Sequence, residues 1–139
     1  RLHPSEKLDY YEASAKAFPD VRFLQNDAWT LDEALAAADI VVIHNSGFGS
    51  DALIKSRPVI VLDCLDVPMG HGRLLMDKAG CPVAHDAQEL RAVVVRLLHD
   101  LEFRDACLAH ASKFASEFVE AMGDDSASRV VAAVLGNAS

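Results

Sequence analysis

The sequence predicts an α/β fold: a doubly wound, Rossmann-like parallel sheet flanked by helices, with further helices at the carboxyl end. Two observations support this prediction. Short runs of β-branched and aliphatic residues, such as DIVVIH and PVIVLD, alternate with stretches in which apolar residues recur at helical spacing. The short runs are also apolar at consecutive positions, which is typical of parallel strands covered by helices on both faces.

The amino-terminal part of the chain predicts two helices with a strand between them. Apolar residues at helical spacing predict a helix over about residues 4–18. The run VRFL, residues 21–24, is short, β-branched and aromatic, and it predicts a strand. Thr30, followed three residues later by Glu33, has the pattern of a capping box and predicts the start of the second helix.

The middle of the chain predicts two buried strands joined by a helix. Residues 39–44 and 58–63 have the length and composition of strands inside a parallel sheet, and residues 48–55 are expected to be helical. A Gly-rich turn, MGHG, is then expected before a helix over residues 73–78. The run CPVA after that helix predicts another short strand.

The carboxyl-terminal third predicts three helices. The first opens on Asp86 as an N-cap and is amphipathic to about His99. Two more are expected as far as Leu135, separated at GDDSAS. Part of this region is expected to pack into the core, and an apolar face left over is the alternative as an interface for another domain. The residues expected in the core are Leu101, Phe103, Leu108, Phe114, Phe118, Val119 and Met122.

Length, composition and charge restrict the classes of function. A chain of 139 residues suits one compact domain, and 51% hydrophobic with 24% charged residues is ordinary for a soluble globular protein. The formal net charge of -8 argues against broad binding to nucleic acid or to an anionic membrane. No apolar run approaches the length of a membrane span. We therefore expect a cytoplasmic protein without a nucleic-acid partner.

Neither a disulfide framework nor a metal site is predicted. Cys64, Cys81 and Cys107 are odd in number and widely spaced, with no C-x-x-C pair. We interpret them as small buried apolar residues in a reducing compartment. The alternative is a catalytic thiol at Cys64, which follows a predicted strand end.

His3 and Pro4 form a candidate site at another predicted strand end. A His before a Pro that starts a helix places the imidazole over the rim of the sheet, where it can donate to a phosphate oxygen or carry a proton. Arg1 and Lys7 add positive charge to the same stretch. The chain begins with Arg1 two residues before this pair, so we expect it to be one part of a longer polypeptide. An ordinary surface or capping His is the alternative.

The segment HNSGFGS, residues 44–50, predicts a site for a nucleotide phosphate. It lies beyond the carboxyl end of a strand, where ligands bind in α/β sheets, and directly before a helix whose N–H groups and dipole favour an anion. Glycines allow a phosphate to approach the main chain, and serines add hydroxyl donors. The candidate residues are Asn45, Ser46, Gly47, Gly49 and Ser50.

Asp51 extends this candidate site as a hydrogen-bond acceptor for ribose hydroxyls. The alternative for Asp51 is an acidic residue that suits the dipole of the first helical turn. The alternative for residues 44–50 is a set of ordinary turn and cap residues. The segment is neither a Walker loop nor a G-x-G-x-x-G fingerprint, so the common nucleotide motifs are not supported.

A third candidate is the loop DVPMGHGR, residues 66–73. His71, between two glycines, and Arg73 could close over a ligand. A flexible connector is the alternative.

The chain resembles the carboxyl-terminal nucleotide-binding half of GT-B glycosyltransferases. The resemblance rests on RLHP followed by LDEALAAADIVVIHNSGFGSDALIKSRPVIVLD. It is closest to bacterial capsule and surface-polysaccharide transferases of the Kdo and polysialic-acid types, which carry a His-Pro motif and a Ser-containing motif. The resemblance implies that residues 1–139 are the single donor-nucleotide-binding domain of a longer protein.

The resemblance also implies roles for individual residues. His3 and Ser46 would contact the donor phosphate, and His3 would stabilise the charge on the leaving phosphate as the catalytic residue of this half. Asn45 and Gly47 would shape the phosphate site. Asp51 stands where the wider superfamily, including UDP-GlcNAc 2-epimerases, has an acidic residue that binds ribose.

The implied reaction transfers a sugar from a CMP- or UDP-linked donor to a glycan or glycolipid acceptor, without a cofactor. The missing amino-terminal GT-B domain would be a partner and would supply the base, so the chain alone would be inactive. The full-length protein would work in the cytoplasm or at the inner face of the bacterial membrane. The alternatives are a UDP-GlcNAc 2-epimerase-like enzyme, a CDP-glycerol-type glycerophosphotransferase and a non-catalytic binding domain of the same fold.

Overall fold

The computed structural model describes residues 6–24, 28–65, 70–118 and 125–136. The chain divides into two compact units, residues 1–39 and residues 40–139. His3 and Pro4 lie outside the described residues.

The first unit is helical. A 3₁₀ turn, Leu8–Tyr11, leads directly into α1 (Glu12–Ala17), and α2 spans Leu31–Ala37. The predicted first helix is confirmed over this shorter range. The capping box is also confirmed: the Thr30 hydroxyl accepts from the Glu33 N–H at 3.2 Å, and the Glu33 carboxylate accepts from the Thr30 N–H at 2.8 Å.

The strand predicted at residues 21–24 is wrong, since these residues have no regular secondary structure. A strand is stable only when a neighbouring strand supplies its hydrogen bonds, and residues 21–24 pair with no strand in the described ranges. Aromatic packing accounts for one residue of the run, because the Phe23 ring lies 5.5 Å from the ring of Tyr11, centroid to centroid.

The second unit contains a parallel sheet with strand order β1-β2-β3. The strands are β1 (Val41–Ile43), β2 (Val59–Leu62) and β3 (Val83–Ala84). β1 and β2 are shorter at both ends than the sequence predicts, and β3 starts two residues later and ends as predicted. The described residues of this unit form five helices. They are α3 (Phe48–Ile54), α4 (Gly70–Ala79), α5 (Ala87–His99), α6 (Leu101–Phe118) and α7 (Asp125–Val134).

Helices cover both faces of the sheet, which confirms the α/β fold class with flanking and carboxyl-terminal helices. Ile43 faces α3 and α4, because its Cδ1 atom lies beside Gly49 of α3, close to Leu75 of α4. On the other face, Ile60 packs with Ala84 of β3 and Leu97 of α5 in a fully buried cluster. Side chains alternate between the faces along a strand, so this burial on both sides explains the apolar runs.

The corner between α5 and α6 is held by polar contacts. The Arg96 guanidinium lies 3.8 Å from the centroid of the Phe103 ring and 3.3 Å from the Asp100 carboxylate. Asp100 also accepts from the Phe103 N–H at 3.0 Å, and this hydrogen bond, with Arg96 nearby, lowers the pKa of Asp100. No helix in the described ranges is long and apolar enough to cross a membrane.

Candidate functional site

Residues 44–51 lie at the carboxyl end of the sheet, as the sequence predicts. They follow β1, and their second half forms the first turn of α3. The residues after β2 and β3 reach the same end, because all three strands are parallel. The geometry therefore brings the predicted phosphate segment next to the beginning of α4.

His44 is fixed to the neighbouring strand. Its Nδ1 atom lies 2.8 Å from the backbone carbonyl oxygen of Leu62, the last residue of β2, and the ring is partly buried. A carbonyl oxygen can only accept, so Nδ1 carries the proton. Neutral His44 then has an acceptor at Nε2.

Asn45 links the segment after β1 to the first turn of α4. Its Oδ1 atom accepts from the His71 N–H at 2.9 Å. This bond fixes the orientation of the amide, since only the oxygen can accept. The Asn45 NH₂ group remains a donor.

The Gly-rich turn predicted at MGHG is wrong from Gly70 onward, because Gly70, His71 and Gly72 are already helical. The Asn45 side chain accepts from the first turn of α4 and supports a helix start that its own sequence does not indicate. Residues 66–69 of the third candidate loop lie outside the described residues. Arg73 of that loop contacts Asp77 at 3.0 Å, one turn further along α4.

Ser46 bonds within its own turn. Its hydroxyl oxygen accepts from the Phe48 N–H at 3.2 Å, and its carbonyl accepts from the Gly49 N–H at 3.2 Å. The Ser50 N–H donates to the carbonyl of Gly47 at 3.0 Å. Three consecutive N–H groups are thus engaged, so a phosphate would have to use the Gly47 N–H or displace the Ser46 hydroxyl.

The two glycines of the segment have different surroundings. A Cβ on Gly49 would lie 2.5 Å from Leu75 Cδ1 and 2.8 Å from Ile43 Cδ1, so packing of α3 explains this glycine. A Cβ on Gly47 would meet nothing within 4 Å, and its φ of -58° suits any residue. The open space above Gly47 is where an anion could approach the main chain.

Ser50, Asp51 and His3 are the remaining candidate residues. Ser50 and Asp51 are partly buried in the first turn of α3. The position of Asp51 fits both an acceptor for ribose and an acid that suits the helix dipole. His3 lies outside the described residues, so its role stays a prediction.

The cysteines differ in their surroundings. Cys81 is buried, and burial, with a contribution from nearby Cys107, raises its pKa to about 12. Burial also raises the pKa of Cys107. These two thiols stay protonated at neutral pH and agree with the interpretation as small apolar residues. Cys64 is exposed at the carboxyl end of the sheet, which departs from that interpretation.

Two features of this site were missed by the sequence reasoning. The contact of His44 with Leu62 joins residues 18 positions apart, and the bond from His71 to Asn45 joins residues 26 positions apart. Local patterns do not encode such pairs, and only the pairing of β1 with β2 reveals them. Among the described side chains, no group of three or more His, Cys, Asp or Glu is arranged to hold a metal ion.

Comparisons with known proteins assign no family to the chain. No protein-family model, curated protein or solved structure matches it. The resemblance to GT-B glycosyltransferases therefore rests on the residues quoted above.

Proposed function

We propose that the chain is the donor-nucleotide-binding part of a GT-B glycosyltransferase that acts on a bacterial capsule or surface polysaccharide. One observation carries the proposal. The segment of residues 45–47 combines three properties: it follows a parallel strand, it opens α3, and Asn45 ties it to the first turn of α4. Polar and glycine residues are thus gathered where α/β sheets bind ligands.

The local charge distribution supports an anionic ligand at this end of the sheet. The first turns of α3 and α4 both begin here, and helix N-termini carry a partial positive charge. The Asn45 NH₂ group and the Ser46 hydroxyl proton are donors that can reach outward. With a net charge of -8 over the chain, an anion has to be met by such local donors.

In the proposed reaction, a sugar passes from a CMP- or UDP-linked donor to a glycan or glycolipid acceptor. Negative charge develops on the departing nucleotide phosphate. Donors preorganised around that phosphate stabilise the charge in the transition state. Ser46 and the Gly47 N–H would fill this role.

A second candidate is a domain of the same fold that binds no nucleotide. One observation favours it: the N–H groups of Phe48, Gly49 and Ser50 are all bonded within the chain. A turn that satisfies its own donors needs no ligand to complete it. Nucleotide binding distinguishes the two candidates.

The test is a titration of the 139-residue chain with CMP, CDP, UDP and UDP-GlcNAc, followed by amide chemical shifts. We expect saturable shifts at residues 44–51 and at the start of α4 for at least one nucleotide. Ser46→Ala should weaken that binding about tenfold, since a hydrogen bond to a charged group contributes about 1.5–3 kcal/mol. Ser112→Ala, on the exposed side of α6, is the matched control and should bind like the wild type. A folded chain whose residues 44–51 respond to none of the four would reject the proposal.

A further inference from the structure

Three neighbouring side chains at the carboxyl end of the sheet have a fixed pattern of donors and acceptors. His44 directs its Nδ1 proton to the Leu62 carbonyl. Asn45 uses its Oδ1 atom for the His71 N–H, and Ser46 uses its oxygen for the Phe48 N–H. What each side chain has left is therefore determined by the protein itself.

In the neutral form of its ring, His44 has only an acceptor left. A neutral imidazole carries one N–H, and the contact with Leu62 takes it, so Nε2 presents a lone pair. A hydrogen bond from Nδ1–H to a backbone carbonyl is the usual way in which a protein holds a ring and aims its other nitrogen. No partner of Nε2 is found among the described residues.

Asn45 and Ser46 have donors left. The amide oxygen of Asn45 is occupied, which leaves its NH₂ group. The Ser46 oxygen accepts from a backbone N–H, which leaves its hydroxyl proton. Residues 44–46 thus offer one acceptor followed by two donors.

This order of one acceptor and two donors fits a sugar phosphate. It also determines which part of the ligand faces which residue. A phosphate oxygen is an acceptor, so neutral His44 gains no hydrogen bond from it. A sugar hydroxyl is a donor as well as an acceptor and pairs with Nε2. The Asn45 and Ser46 donors pair with phosphate oxygens.

We propose that His44 recognises a sugar hydroxyl of the ligand through Nε2, while Asn45 and Ser46 hold the adjoining phosphate. The inference rests on the proposed function and deepens it, because it adds a residue that selects the ligand by its hydroxyl groups. The hydroxyl belongs either to the ribose of the nucleotide or to the sugar that is transferred. His44 is a binding residue in this account, and its ring is positioned by Leu62.

The first test uses the wild-type chain without ligand. Imidazole ¹⁵N shifts at pH 8 should show His44 protonated at Nδ1 and unprotonated at Nε2. The opposite tautomer would overturn the inference and would leave the proposed function standing.

The second test uses His44→Asn, which keeps an N–H donor near the position of Nδ1 and removes Nε2. We expect it to weaken, about tenfold, binding of the ligand that carries the recognised hydroxyl: UDP or CMP for the ribose, UDP-GlcNAc for the transferred sugar. Binding of inorganic pyrophosphate should be unchanged. His85→Asn is the matched control, because His85 is also the first residue after a strand and is exposed. His44→Gln serves as a second variant where His44→Asn does not fold.

Two further binding measurements identify the hydroxyl group that His44 recognises. If the ribose is recognised, 2′-deoxy-UDP or 2′-deoxy-CMP should bind about as weakly to the wild type as the parent nucleotide binds to His44→Asn. If the transferred sugar is recognised, the loss in His44→Asn should appear with UDP-GlcNAc and not with UDP. Equal binding of every ligand by wild type and His44→Asn overturns the inference alone. Absence of any shift at residues 44–51 with nucleotides and pyrophosphate overturns both proposals.

Discussion

Individual hydrogen-bonded atoms at the carboxyl end of the sheet determine which donors and acceptors remain for a ligand. The Leu62 carbonyl fixes the proton of His44 on Nδ1, and the His71 N–H fixes the amide of Asn45. The sequence predicts a phosphate site at residues 44–51 from residue types alone. It could not show which atoms remain for a ligand, because each bond depends on a partner brought near by the sheet.

Gly49 and Gly47 make a matched pair for testing the role of glycine in this segment. Gly49→Ala inserts a methyl group within 3 Å of Leu75 Cδ1 and Ile43 Cδ1. Overpacking lowers the free energy of unfolding by about 1–3 kcal/mol, and the higher helix propensity of Ala raises it by about 1 kcal/mol. We expect a net loss of up to about 2 kcal/mol in the free energy of unfolding, measured in urea.

Gly47→Ala is the control, because its methyl group meets nothing within 4 Å. Its free energy of unfolding should stay within about 0.5 kcal/mol of the wild type. Equal stability of the two variants would contradict the packing role of Gly49. Loss of nucleotide binding in Gly47→Ala at unchanged stability would support close approach of a phosphate to the main chain.

Helices and strands differ in how well the local sequence predicts them. Helices α2 and α5 are predicted correctly because apolar spacing and a capping residue lie within or directly beside the element itself. Residues 21–24 have the composition of a strand and form none, since a strand depends on a partner elsewhere in the chain. The start of α4 was missed for a similar reason, because Asn45 lies 26 residues before the N–H that it accepts.

The cap from Asn45 gives a direct test of this long-range helix start. Asn45→Ala leaves the His71 N–H without its acceptor, so the free energy of unfolding should fall by about 0.5–2 kcal/mol. Hydrogen exchange of the His71 amide should become faster. Asn45→Asp keeps the acceptor and adds a charge that suits the helix dipole, so it should stay close to the wild type. Similar exchange rates in all three proteins would contradict the cap.

The capping box of α2 predicts a dependence on pH. Hydrogen bonds from the Thr30 N–H and hydroxyl lower the pKa of the Glu33 carboxylate below its ordinary value. The carboxylate form accepts these bonds, so the box contributes fully above the ordinary pKa of glutamate. Its contribution is lost as the pH falls through the lowered pKa of the folded state.

Side-chain carbon shifts of Glu33, followed from pH 7 to pH 2, measure this effect. In Thr30→Ala the hydroxyl bond is lost, so the pKa of Glu33 should rise toward its ordinary value. Thr30→Ser keeps both donors and should titrate like the wild type. An unchanged pKa of Glu33 in Thr30→Ala would show that the hydroxyl bond contributes nothing.

Across the chain, the alternation of strands and helices was enough to predict the α/β class, since burial on both faces of a parallel sheet leaves a clear apolar pattern. Net charge is also a property of the whole chain. The value of -8 marks an acidic protein, in which the hydrogen-bond donors at the carboxyl end of the sheet are local exceptions. In the proposed function, affinity for a nucleotide therefore has to come from a few donors at close range.

The most direct measurement is a comparison of UDP and CMP with uridine and cytidine on the wild-type chain, recorded as amide shift titrations. The account predicts saturable shifts centred on residues 44–51 and the first turn of α4 for at least one of the two nucleotides. The corresponding nucleoside should produce much smaller shifts there, because it lacks the phosphate. Equal shifts with nucleotide and nucleoside, or shifts located away from the carboxyl end of the sheet, would contradict a phosphate site at residues 45–47.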